Sequence, residues 1–204
     1  MQGQLWIVAA PSGGGKTSLI AEAVRTLDNV VESVSHTTRA ARPGEVDGVH
    51  YYFVEPAQFQ AMIDADGFLE YAQVFHNAYG TAAASVDALL AAGKDVILSI
   101  DWQGAQQVMA RRPDTRSVFL LPPSLEALRE RLTARGQDNP DIVAQRMAEA
   151  EEQISHYRAF EFVIVNEDFQ RAAGELQALI LCDRLRRTRR EADLQPLLRQ
   201  LGQE

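Results

Sequence analysis

Residues 5–10 form an unbroken apolar run that stops at Pro11 and three consecutive glycines, and from Lys16 onward Leu19, Ile20, Ala23, Val24 and Leu27 recur at helical spacing. The pattern predicts strand, tight loop, helix. Residues 30–34 form a second apolar strand, leading into a polar stretch, 35–48, that holds Arg39, Arg42 and Pro43 and has no helical period. It reads as a functional loop. Strands are predicted at 51–54 and 68–74, short helices at 56–66 and 82–92, and continuous apolar strands at 96–100, 118–121 and 162–165. Ser124 is a suitable N-cap for a helix to about residue 135 with Leu125, Leu128 and Leu132 on one face. Gly136 and Pro140 bracket a break, a polar helical pattern resumes over 141–157, and 169–190 reads as one long helix.

Apolar strands near 7, 98, 119 and 163, separated by helices, imply a buried parallel sheet covered on both faces. The fold class expected is α/β: a central parallel sheet built from residues 1–34, 82–123 and 159–204, with a mixed α+β insertion over 35–81 and a helical segment over 124–158.

The chain has 204 residues, room for one full domain with a lid or insertion. Lys plus Arg number 20 against 28 Asp plus Glu, a net charge of −8. That balance argues against a nucleic-acid partner or an anionic membrane, both of which need a positive footprint. Cys182 is the only cysteine, so no internal disulfide forms, and no apolar run is long enough to span a bilayer. A cytoplasmic protein is expected, and a homo-oligomer is compatible with the sequence. His36, His50, His76 and His156 lack metal-ligand spacing, and five arginines within 184–190 read as a polar helix face. Lys16 and Lys94 are the only lysines, so any role requiring one has two candidates.

Lys16 stands where lysine chemistry is most informative. Ala10, Pro11, Ser12, Gly13, Gly14, Gly15, Lys16, Thr17 and Ser18 follow a buried-looking strand and open a helix. This is the context of a phosphate-binding loop: backbone N–H groups and the helix N-terminus surround the phosphates, lysine reaches the β- and γ-phosphates, and the Thr17 hydroxyl ligates Mg²⁺. Ala10 departs from the pattern's first glycine, harmlessly only if its φ is negative. A GTPase would carry an Asn-Lys-x-Asp segment, and with lysine only at 16 and 94 none exists. An acceptor kinase needs a second anion site, which Arg39 and Arg42 can supply with planar, multiply donating forks.

The segment Ser35-His36-Thr37-Thr38-Arg39-Ala40-Ala41-Arg42-Pro43-Gly44-Glu45, with Gly48 and Tyr51-Tyr52-Phe53 after it, resembles the nucleotide-acceptor segment of guanylate kinases. Phe68-Leu69-Glu70-Tyr71, Asn77-Ala78-Tyr79-Gly80-Thr81, Asp101-Trp102-Gln103-Gly104, Arg135-Gly136-Gln137-Asp138 and Ile164-Val165-Asn166 continue the likeness in order over nearly the whole chain. The resemblance implies a P-loop NTPase fold in which 35–81 is a nucleotide-acceptor insertion and 124–158 a helical lid, and transfer of phosphate from ATP to GMP with Mg²⁺ as cofactor. It further implies that Ser35, Arg39, Arg42, Tyr51 and Tyr79 hold the GMP phosphate, that Glu70, Thr81 and Asp101 read the guanine, and that Glu45 and Gly80 also belong to the GMP site. Arg131, Arg135 and Asn166 would join the loop in binding ATP, and Lys16, Arg39, Arg135 and Arg146 would serve catalysis.

Glu70 suits that assignment chemically, because a carboxylate accepts from guanine N1–H and the 2-amino group, neither of which adenine offers. A non-catalytic interaction module of the same family would be expected to lose loop residues present here, and a kinase for a sugar phosphate should lack the Glu70 and Thr81 pair. One departure stands out: many relatives carry an acid two residues before Asp101, and this chain has Ser99.

Overall fold

The computed structural model describes residues 2–74, 76–134 and 140–202. Leu5–Ala9 (β1) has no residue more than marginally exposed, and its alternating side chains feed two cores. Trp6 and Val8 pack with Leu19, Ile20, Leu176 and Ile180, while Leu5, Ile7 and Ala9 pack with Val86, Ala105 and Val108 on the opposite face. The strand is therefore apolar on both sides because helices cover both. Lys16–Thr26 (α1) follows it directly, and Val30–Glu32 (β2) comes next.

The parallel sheet is completed by Asp95–Ser99 (β7), Arg116–Leu121 (β8) and Phe162–Val165 (β9), in the order β2-β7-β1-β8-β9. Every pairing is parallel. All the C-terminal strand ends thus lie along one edge, where open α/β sheets bind ligands, and the glycine cluster, Asp101 and Asn166 all follow those ends.

A second sheet of four strands rises from the segment between β2 and β7, in the order β4-β3-β6-β5. It comprises His36–Thr37 (β3), Tyr52–Phe53 (β4), Phe68–Val74 (β5) and Asn77–Ala82 (β6). Pro56–Asp64 (α2) packs Phe59 against Phe68, and Ala83–Ala91 (α3) returns the chain to the main sheet. The short β3 and the glycine-containing β6 lack the apolar alternation that marks a strand in sequence. Thr37 Oγ1 donates to Ala78 O at 3.0 Å and Thr38 Oγ1 accepts from Ala78 N at 2.8 Å, so side chains as well as the ladder hold them together.

Trp102–Arg111 (α4) is absent from the sequence expectation because its buried residues are Gly104, Ala105 and Val108, too small to draw a clear apolar stripe. Leu125–Ala134 (α5) begins at the expected cap, Ser124 Oγ accepting from Ala127 N at 3.0 Å. It pairs with Pro140–Ser155 (α6) through Leu128, Leu132, Met147 and Ala150.

The single helix expected over 169–190 is corrected to two, Phe169–Arg184 (α7) and Arg187–Gln200 (α8). No glycine or proline punctuates the break at Leu185 and Arg186, so helical periodicity alone ran through it. The bend swings α8 so that Arg189 donates to Asp95 at 2.6 Å and Asp183 at 2.7 Å. Arg184 Nε reaches the other Asp95 oxygen at 2.7 Å, and Arg116 Nε reaches Asp183 at 3.0 Å.

The arginine cluster is therefore more than a polar face. Part of it is a clamp on two buried carboxylates, side chains 2% and 5% exposed, at the N-terminal ends of the strands. Removing Arg189 takes one cation from each carboxylate but leaves Arg184 on Asp95 and Arg116 on Asp183, so neither buried charge is stranded. Arg189→Ala is expected to lose about 2 kcal/mol in urea unfolding, the scale of lost hydrogen bonds to charged groups.

Candidate functional site

The turn after β1 is shaped by glycines that no other residue replaces cheaply. Gly13 and Gly15 have φ of +83° and +89°, and a Cβ on Gly15 would come within 2.3 Å of the Asn166 amide nitrogen. Asn166, 5% exposed, donates from Nδ2 to Gly14 O at 2.9 Å and from its backbone N to Leu121 O at 2.8 Å, locking the loop to the end of β8. Ala10 is not among the residues with positive φ, so its departure from glycine is harmless. Pro11 O accepts from Gly14 N at 2.9 Å, closing the turn. Thr17 and Ser18 are exposed at the start of α1.

Lys16 Nζ lies back on the Ile100 carbonyl at 3.0 Å. Burial pushes its pKa down, and the negative charges of Asp101, Glu32 and Glu70 partly oppose that shift. Arg131, on α5, donates from Nη2 to Asn166 O at 2.7 Å, while its buried Nη1 has no hydrogen-bond partner among the described residues. That orphaned donor points to an anionic ligand. Arg146 is half-buried on α6, and Arg135 lies outside the described residues. Gln153, which sequence patterns did not single out, accepts from Ser12 N at 3.2 Å and ties α6 to the loop.

Across the cleft, Glu45 organises the two arginines. Its carboxylate takes both Arg39 Nη groups at 3.0 and 2.8 Å and the Arg42 backbone N at 2.7 Å, and these bonds hold its pKa down at about 2. The Arg39 guanidinium stands 5.5 Å from the Tyr51 ring centre, with the Tyr51 and Tyr79 rings 5.9 Å apart. Arg39, Tyr51 and Tyr79 thus converge, while the Arg42 side chain is exposed at the rim.

Glu70 and Thr81 face each other across β5 and β6, next to a register shift between Phe68 and Glu70. Thr81 Oγ1 donates to Glu70 Oε1 at 2.6 Å, with the pair 1% and 7% exposed, and Ser35 Oγ stands 3.5 Å from Thr81 Oγ1. Burial raises the Glu70 pKa, Thr81 pulls it back, and Asp101 raises it further. Gly80 is buried beside them, where a Cβ would meet Phe68 at 3.0 Å. Gly104 makes room for the other carboxylate oxygen: a Cβ there would lie 3.0 Å from Glu70 Oε2. Asp101 is committed through Oδ1 to capping α4, accepting from Gly104 N at 2.8 Å.

A cavity of about 360 Å³ joins the two walls, lined by Thr17, Glu32, Ser35, Glu45, Tyr51 and Ser99 among others. Its oxygen donors near α1, a hydroxyl on Thr17, a carboxylate on Glu32 and a hydroxyl on Ser99, suit a hard cation such as Mg²⁺. Among the described residues no group of three His, Cys, Asp or Glu is placed to hold a metal unaided, so a metal here would depend on ligands from the nucleotide. The cavity thus borders the phosphate loop at Thr17 and the arginine wall at Glu45, and Ser35 on its lining leads to the buried Glu70–Thr81 pair.

The sequence profile of the family described as "Guanylate kinase" matches residues 2–182. The chain belongs to the guanylate kinase family. The guanylate kinase of Alkalilimnicola ehrlichii is 53% identical over 201 residues, covering 98% of this chain and 99% of the relative. That of Saccharophagus degradans is 52% identical over 199 residues, covering 98% and 97%. Among solved structures, the crystal structure of guanylate kinase from Anaplasma phagocytophilum superposes with a TM-score of 0.71 at 33% identity, covering 91% of this chain and 88% of that one. Within the described residues, no helix of this guanylate kinase family member is long and apolar enough to cross a membrane. His36 stacks on Tyr52 and His156 on Trp102, ring packing with no metal-ligand geometry.

Proposed function

We propose that this protein transfers the γ-phosphoryl group of ATP to GMP, forming ADP and GDP. The observation that supports the reading is a cavity lined by Thr17 of the loop, by Glu45, which is bonded to Arg39, and by Ser35, whose hydroxyl lies 3.5 Å from that of Thr81 in the buried Glu70–Thr81 pair. ATP would lie with its phosphates in the loop from Ala10 to Ser18, its further contacts coming from Arg131, Arg135 and Asn166. GMP would present its phosphate to Ser35, Arg39, Arg42, Tyr51 and Tyr79 and its base to Glu70, Thr81 and Asp101.

An oxygen of the GMP phosphate, already ionised, attacks the γ-phosphorus as the bond to the ADP bridging oxygen breaks. No general base is required. Alignment and charge neutralisation carry the rate, with Lys16 leaving the Ile100 carbonyl for the transferring group and arginines, Arg135 and Arg146 included, closing over it. Residues 35–81 would form the acceptor unit and 124–158 the lid, whose closure excludes water. Mg²⁺ bound with ATP supplies positive charge to the phosphates, with Thr17 as its ligand from the chain. A cytoplasmic role in purine nucleotide supply belongs to this reading, in keeping with a lone, exposed Cys182.

A coupled assay of ADP formation with ATP, Mg²⁺ and each of GMP, AMP, CMP and UMP tests it. Turnover is expected with GMP, at a kcat/KM above that for AMP by several powers of ten. Activity on another acceptor with none on GMP overturns the reading.

A further inference from the structure

The cleft carries one acid that the family pattern leaves unexplained. Glu32 is the last residue of β2 and pairs with Ile97 on the neighbouring β7. Side chains alternate along a strand, so Ile97 and Ser99 share a face, and Glu32, paired with Ile97, points to that same face. This is the face on which Ile97 packs with Leu19 and Ile20 of α1, the helix that begins at Lys16 and Thr17. Glu32 and Ser99 accordingly line the cavity together with Thr17. Burial raises the Glu32 pKa, and the neighbouring Ser99 hydroxyl and the Lys16 charge partly oppose that shift.

Ser99, two residues before Asp101 on β7, brings a hydroxyl and no charge to the cavity it lines with Glu32 and Thr17. β2 and β7 are adjacent strands, roughly 4.8 Å apart. Moving an acid from 99 to 32 displaces it sideways by about that spacing, and the longer glutamate side chain recovers reach toward Thr17. The hydroxyl at 99 is small enough to leave room and polar enough to orient the carboxylate.

We propose that Glu32 is the metal-positioning residue of this chain, accepting hydrogen bonds from water molecules on the Mg²⁺ of bound Mg·ATP and so replacing the acid that Ser99 does not supply. The proposal rests on the phosphotransfer reading above and deepens it. Glu32 touches the metal only through water, so its loss weakens binding without abolishing it, on the scale of about tenfold typical for partners outside the direct ligands.

The test uses the full chain as wild type, Glu32→Gln, and Glu32→Gln combined with Ser99→Asp, each checked for an unchanged far-ultraviolet circular dichroism spectrum. Mn²⁺ is titrated into protein with ATP, without GMP, and free Mn²⁺ is read by electron paramagnetic resonance. Glu32→Gln is expected to weaken Mn²⁺ binding about tenfold and to raise the Mg²⁺ concentration for half-maximal rate by a similar factor. Ser99→Asp in that background is expected to restore most of both. Unchanged Mn²⁺ affinity in Glu32→Gln, or a double variant no better than the single one, overturns the proposal. Because the binding titration omits GMP, wild-type protein that binds Mn·ATP yet leaves GMP unphosphorylated sinks the acceptor reading alone.

Discussion

Lys16→Ala is expected to lower kcat with ATP and GMP by about three orders of magnitude, since a charge aimed at the transferring phosphoryl group stabilises mainly the transition state. Nothing else in the chain stands in for it. Lys94, the only other lysine, is half-buried just before the start of β7 and bonded to Asn29 at 2.9 Å. The fold does not depend on Lys16, whose amine makes one hydrogen bond, to Ile100 O, and sits in a site that disfavours its charge. With the folded pKa below the ordinary 10.5, the unfolded chain holds the proton more tightly, so protonated Lys16 opposes folding. That opposition is complete below the folded pKa and fades as pH rises toward 10.5. Lys16→Met, which keeps the stem and drops the charge, should therefore melt at or above the wild-type temperature at neutral pH while being as inactive as Lys16→Ala. A clear fall in melting temperature, or turnover within tenfold of wild type, contradicts this account.

That division between chemistry and folding also governs how much of the molecule was legible beforehand. The phosphate loop could be read because its requirements are local: glycines where φ is positive, and lysine and threonine at the first helical positions. The buried strands could be read because residues such as Trp6, Ile7 and Val8 face helices on both sides of one sheet and so form unbroken apolar runs. What escaped depends on distant partners. β6 becomes a strand by pairing with β5 and β3, and α4 is built on residues small enough to admit the Glu70 carboxylate. The break before α8 follows from where Asp95 and Asp183 lie, which neighbouring residues cannot reveal. Glu32 carries no motif of its own, and only the strand register with Ile97 sets it beside Ser99 on the cavity. Gln153 reached the loop only through the α5–α6 packing.

Glu70→Ala should lower kcat/KM for GMP by about three orders of magnitude and leave the low value for AMP nearly untouched, so that the preference between the two purines collapses. The carboxylate is buried, and among the described residues Thr81 is its one side-chain donor, reaching Oε1 at 2.6 Å. The remaining lone pairs are what guanine N1–H and the 2-amino group would satisfy. Adenine brings an acceptor at N1 and leaves the buried charge unpaired, which is the source of discrimination. Glu70→Gln should be nearly as damaging for GMP, because one of its two positions becomes an N–H donor facing a donor. Its stability should move the other way. Burial raises the folded pKa of Glu70 above the ordinary 4.5, so the ionised group opposes folding above that raised pKa. Glu70→Gln is then expected to be more stable than wild type at neutral pH, a gain that fades as pH falls through the raised pKa toward 4.5. The same shift gives the wild-type enzyme a pH signature, since protonated Glu70 presents a donor to N1–H and KM for GMP should climb on acidification from above the ordinary glutamate range. Steady-state kinetics with GMP and AMP across pH, together with urea unfolding of both variants, check all four expectations. An unchanged GMP-over-AMP ratio in Glu70→Ala would move guanine recognition elsewhere in the cleft.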